Sequence, residues 1–92
     1  MELLKVSSQS NPSMVAGAVA GIIRTSGVAE VQAIGAGAVN QAVKAIAIAV
    51  SYLEGDGIKI SFVPSFADLE LENEQKITMI KFKIDSCKTD NE

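Results

Sequence analysis

The chain has no histidine, so the commonest general base near neutral pH is missing, as is the commonest nitrogen ligand for zinc or haem. The single cysteine, Cys87, therefore has no imidazole to activate it as a nucleophile. Neither a Gly-Lys-Ser/Thr phosphate loop nor a calcium-loop pattern occurs. Asp68, Glu70 and Glu72 alternate along an extended stretch, which reads as the solvated face of a strand rather than as paired catalytic carboxylates. No catalytic residue, metal ligand or cofactor is expected.

The remaining polar groups suit anion binding. Ser8, Ser10, Asn11 and Ser13 lie where a loop enters a helix, and hydroxyls, an amide and free N–H groups there can hold a phosphate. The same residues also serve as ordinary capping and turn groups. Gly35-Ala36-Gly37 joins a strand to a helix, as phosphate-cradling turns do. It lacks the third glycine of a dinucleotide fingerprint, and a tight turn explains it equally well. Asn40, Gln41 and Lys44 follow on an otherwise apolar helix, with Asn40 and Lys44 four apart on one face. They either extend the polar patch or mark an exposed stripe. Lys81 and Lys83 alternate on the last strand, and Lys5 lies on the first. Both positions suit phosphate contacts or plain solvent exposure.

The elements that must position these groups follow from local signals. Leu3 to Val6 reads as a first strand. Asn11-Pro12 is a helix start, because Asn caps free N–H groups and proline has none to lose. A first helix is expected from about Pro12 to Ser26, with Val15, Val19, Ile22 and Ile23 as its core face and Gly27 as its stop. Gly17 and Gly21 sit four apart on it, which predicts close approach of another backbone to offset their poor propensity. Val28 to Ile34 alternates as a strand, and a second helix follows from about Ala38 to Leu53. That helix is apolar nearly all round and must be covered on more than one side, which points to a dimer interface. Ile58, Ile60 and Phe62 mark a third strand. Pro64 marks a bend, bulge or edge, and residues 58–72 form one bent strand or two short ones. Asn73-Glu74-Gln75 is a hairpin loop. The last strand runs from about Lys76 to Ile84, so that acids and lysines pair across the hairpin. The order β-α-β-α-β-β gives an α/β (α+β) two-layer sandwich, with two helices on one face of a four-stranded sheet. Residues 1–85 are expected to form one domain, and residues 86–92 a polar, flexible tail.

Composition sets limits on partners. The 92 residues carry a net charge of −3, and 48% are apolar with only four aromatics, so the core is built mainly from Ala, Val and Ile. Residues 1–53 are slightly basic, at +1, while residues 54–92 carry −4. The acidity therefore belongs to the C-terminal half, and a weakly basic face on the first half is open. A lone cysteine fits a reducing compartment, and the N-terminus has no signal-peptide pattern, so a cytoplasmic location is expected. The apolar run from Ala33 to Val50 is broken by Asn40, Gln41 and Lys44, and no membrane contact is expected from it.

Several stretches resemble the stage V sporulation protein S family. They are Leu4-Lys5-Val6-Ser7, the loop through Asn11-Pro12, Val15-Ala16-Gly17-Ala18, the long run from Val31 to Ala49, and Val63-Pro64-Ser65-Phe66 with the final hairpin. The resemblance covers nearly the whole chain short of Ser86 to Glu92. That family is similar in pattern to the Alba chromatin proteins. The resemblance implies an Alba-like fold, a homodimer or higher homo-oligomer, binding of DNA or RNA, and a role in bacterial sporulation or a related developmental programme. Alba proteins carry Lys or Arg in the loop after the first strand and in the turn before the second helix. Here Ser8 to Ser13 and Gly35 to Gly37 occupy those places. The expected binding is therefore weaker or more selective than that of Alba proteins, through backbone N–H groups, hydroxyls and a few lysines. A protein–protein adaptor or structural oligomer without nucleic-acid affinity is the alternative, supported by the acidic balance and the apolar second helix.

Overall fold

In the computed structural model, which describes residues 2–88, strand β1 (Leu3–Val6) leads through the serine loop into helix α1 (Pro12–Ser26). The Asn11 side-chain oxygen accepts from the N–H groups of Ser13 and Met14, at 2.9 and 3.2 Å. Together with Pro12 this settles the start of the helix. Gly27 ends it in the left-handed conformation (φ 82°), its N–H bonded to the Ile23 carbonyl. Strand β2 (Val28–Ala33) stops one residue short of the expected Ile34. Helix α2 (Ala36–Glu54) begins two residues early, so Gly37 lies within its first turn.

Strand β3 (Ile58–Glu70) is one continuous strand, paired without interruption to β4 (Lys76–Lys88). The sheet order is β1-β2-β4-β3, with β1 parallel to β2 and the other pairs antiparallel. β3 is therefore an edge strand, which is how it accommodates Pro64. The missing N–H can face outward, where no ladder bond is lost and where pairing with a stray strand is discouraged.

Both crossovers, β1-α1-β2 and β2-α2-β3, step across the sheet in the same direction. Right-handed connections then place both helices on one face. The core lies between that face and the helices. Ala29, Val31 and Ala33 of β2 face Ile84, Phe82 and Ile80 of β4 there, and Ala16, Val19, Ala20 and Ile23 of α1 cover them with Ala38, Ala42, Ala49 and Leu53 of α2. α2 is long and apolar enough to cross a membrane by length and composition, but its buried stripe makes it a core helix here.

Three expectations need correction. β4 runs beyond Ile84 to Lys88, because β3 is long enough to pair with it throughout, and the Ser86 hydroxyl donates to the Gly27 carbonyl at 2.6 Å. The first three residues of the expected tail 86–92 are thus strand, and the remainder lies outside the described residues. Of the hairpin acids on β3, only Glu70 opposes a lysine. The register sets Glu70 against Lys76 and Asp68 against Thr78, while Lys81 and Lys83 face Ser65 and Val63. Strand order, not alternation alone, decides such pairs. Finally, Gly17 and Gly21 are exposed with open space where a Cβ would project, so no other element among the described residues approaches them there.

That last observation yields a direct expectation. Gly17→Ala and Gly21→Ala should each stabilise the fold by about 0.5–1 kcal/mol, by raising helix propensity at exposed positions with compatible backbone. Urea denaturation of the two single variants and the double variant checks this.

Candidate nucleic-acid interface

Because β1 and β2 run parallel, their C-terminal ends deliver α1 and α2 from the same edge of the sheet. The serine loop and the glycine turn are therefore neighbours. Gly35 holds φ 91°, a conformation that glycine adopts without strain. Gly37 lies so close to the loop that a Cβ there would meet the Ser8 Cβ at 2.9 Å. Gln41 closes the contact from one turn further on, its amide donating to the Ser10 carbonyl at 3.0 Å.

The two helix starts differ in what they leave free. At α1 the Asn11 side chain is committed to capping. The Ser10 hydroxyl accepts from the Ser7 N–H at 2.9 Å and lies 3.3 Å from the Ser7 hydroxyl, which accepts from the Gln9 N–H. Most of the loop's polar groups thus build the loop itself. Among the described residues no side chain caps α2, so its first-turn N–H groups from Ala36 to Ala38 have no side-chain acceptor. This half-positive helix end, with the Ser8 side chain against Gly37, is the anion-attracting point of the structure.

The lysines fall into two groups. Lys5, Gln32, Lys81 and Ser65 form one row straight across β1, β2, β4 and β3, on the face that carries no helix. In the next row Leu3, Glu30, Lys83 and Val63 stand together, so Lys83 has a carboxylate as its cross-strand neighbour. Lys5 and Lys81 have the uncharged Gln32 between them. Asn40 and Lys44 are exposed on α2, in the other layer. The structure therefore brings together Ser8, Ser10, Gly35, Gly37 and Gln41 and sets Lys5 and Lys81 beside them on the sheet. It places Asn40 and Lys44 on the helix side of the same end, Ser13 on the exposed first turn of α1, and Lys83 one row further back.

Sequence reasoning missed Gln32, which the alternation of β2 had marked only as wet. It also missed a cleft of about 330 Å³ that opens beside Lys5 and Ser8 and is floored by Leu69 and Met79. No local signal could have found the cleft, since its walls come from all four strands, whose register is a property of the folded sheet.

The hairpin projects past the end of β2, whose last partner is Ile80. Its outer portion carries Asp68, Glu70, Glu72 and Glu74 against Lys76, so this tip repels phosphates. The acidity of the chain is thereby kept at one extremity. Asn11→Ala should lower stability by about 1 kcal/mol through loss of the α1 cap. Ser8→Ala, which removes no capping bond, should change it by less than about 0.5 kcal/mol. Chemical denaturation of the two variants separates the structural serine-loop residue from the free one.

Comparison with known proteins agrees with this architecture. The fold is similar to that of Alba from Thermoplasma volcanium, with a TM-score of 0.61 over 90% of this chain and 98% of that one, at 15% sequence identity. The family model described as Stage V sporulation protein S (SpoVS) matches residues 2–87, and the chain belongs to that family.

Proposed function

We propose that this member of the stage V sporulation protein S family is a non-enzymatic, dimeric regulator that binds DNA or RNA in the cytoplasm during sporulation or a related developmental programme. The observation that carries the reading is the uncapped start of α2 packed on Ser8, with Lys5 and Lys81 in a row beside it. Backbone N–H groups at a helix start and two lysines without an opposing carboxylate, at one end of the sheet, offer contacts to a nucleic-acid backbone on an otherwise acidic protein. Lys44 and Asn40 extend it around the helix side, and the acidic hairpin tip limits which way a strand can run.

The dimer reading rests on a separate surface. α1 lies along one flank of α2, where Arg24 donates to the Tyr52 carbonyl and Gln41 reaches Ser10. The opposite flank, toward β3, presents Val43 and Val50, both well exposed. Beside it the helix-covered face of the hairpin presents Phe62 and Phe66, the latter 78% exposed. Exposed apolar surface of this extent marks an interface, and a second copy of the chain supplies the matching patch. Two binding ends per dimer would add their phosphate contacts.

Fluorescence anisotropy with labelled duplex DNA, single-stranded DNA and RNA across a salt series tests the reading. Affinity should fall with salt, and Lys5→Ala should lower the slope by about 1 per site. Absence of binding at low salt would favour the adaptor alternative. Val43→Asp and Phe66→Asp, both at exposed positions, should leave the fold intact and convert the dimer to monomer in sedimentation equilibrium.

A further inference from the structure

The helix-free face of the sheet should be polar, because it looks to water. Its central rows carry Lys5, Gln32, Lys81, Glu30 and Lys83, with the apolar Leu3 and Val63 on the two edge strands. At the end nearest the serine loop it changes character. Ile34, Leu69 and Met79 line a cleft of about 330 Å³ whose other wall carries Lys5, Ser8 and Gln32. Met79 is only 6% exposed although no helix covers it, whereas Ile34 remains 47% exposed at the rim. The space is large enough for a small ring system and too small for a duplex.

The polar wall says which ring. The Gln32 amide donates through Nε2 to the Glu30 carboxylate at 2.7 Å. That bond fixes the amide's orientation and leaves Oε1 as an acceptor, with the second N–H as a donor. A hydrocarbon chain would leave those groups unpaired, at a penalty. A flat heteroaromatic ring with apolar faces and hydrogen-bonding edges satisfies both walls at once, its faces against Leu69 and Met79 and its edge toward Gln32. The Lys5 ammonium and the Ser8 hydroxyl at the mouth suit a phosphate attached to that ring.

We infer that the cleft receives one unpaired nucleobase of a single-stranded nucleic acid, with the adjoining phosphate held at Lys5 and Ser8. The inference rests on the nucleic-acid reading above and deepens it, since a base inside a duplex cannot enter and an unpaired one can. It assigns to Gln32, Leu69 and Met79 a role that phosphate binding alone does not give them. Burying the apolar faces of a base against Leu69 and Met79 adds to single-strand affinity.

The test compares a short single-stranded DNA with an abasic strand of the same length and backbone, titrated against the full chain. The base-bearing strand should bind about tenfold tighter or better. Leu69→Ala, at a half-buried position on the hairpin, should reduce that advantage and leave abasic binding little changed. Ile34→Ser, at the exposed rim, should do the same, so a folding defect in one variant does not decide the outcome. Equal binding of the two strands would overturn the cleft assignment while leaving phosphate binding in place. Binding of neither strand would overturn both. Saturation by a free nucleoside monophosphate at lower concentration than by the strand would overturn the strand assignment in favour of a free nucleotide.

Discussion

Parallel pairing of β1 with β2 is the constraint from which the rest of the structure follows. A parallel pair needs a crossover, and the crossover here is α1. Continuing in the same direction across the sheet, the second crossover sets α2 on the same face. Two consequences come together. One face of the sheet is left without helices, and both helix starts emerge at a single end. The close contact of Gly37 with Ser8 expresses that geometry locally, because only a residue without a Cβ lets the second helix begin so near the loop that begins the first.

A small core reinforces the arrangement. Alanine at positions 16, 20, 29, 33, 38, 42 and 49 is buried between the layers, which lets helices and sheet approach closely but removes little apolar area per residue. A domain of this size gains limited stability from such a core. The large apolar side chains that would strengthen it, Phe62, Phe66, Val43 and Val50, are instead displayed at the surface on one side. Their placement makes sense if the second half of a hydrophobic layer comes from another molecule, as the flank of α2 already implied by its composition.

What could be read in the sequence was what local chemistry determines. Asn11, Pro12 and Gly27 delimit α1 because capping and left-handed geometry depend on neighbours a few residues away. The alternation in β2 correctly marked Ala29, Val31 and Ala33 as core. The element order pointed to two helices on one face of a four-stranded sheet, and the resemblance to a known family implied its Alba-like form. What could not be read was anything set by strand order. Lys81 and Lys83 lie between β2 and β3, so their neighbours are Gln32, Glu30, Ser65 and Val63 rather than the hairpin acids. The glycine pair in α1 misled for a related reason: spacing shows that a face is smooth, not that anything is packed on it. At the candidate site the serines and glycines were visible as types, but which N–H groups are consumed by caps and which are free emerges only when the two helix starts are compared.

The remaining tension is between net charge and the proposed ligand, and the fold resolves it by distance. Screening at physiological salt confines electrostatic influence to roughly 8 Å. The hairpin, in a molecule 55 Å long, carries the four acids from Asp68 to Glu74 near its tip. Of these, Glu72 and Glu74 sit at the turn itself and act least on the binding end, whereas Asp68 and Glu70 flank Leu69, which lines the same cleft as Lys5. A sum over the chain therefore understates what the binding end presents. What that end offers is modest all the same: a helix start, a hydroxyl and a few lysines. Affinity built on so few phosphate contacts is weak unless something besides charge contributes, and the base-sized cleft beside Lys5 is the part of the structure able to contribute it.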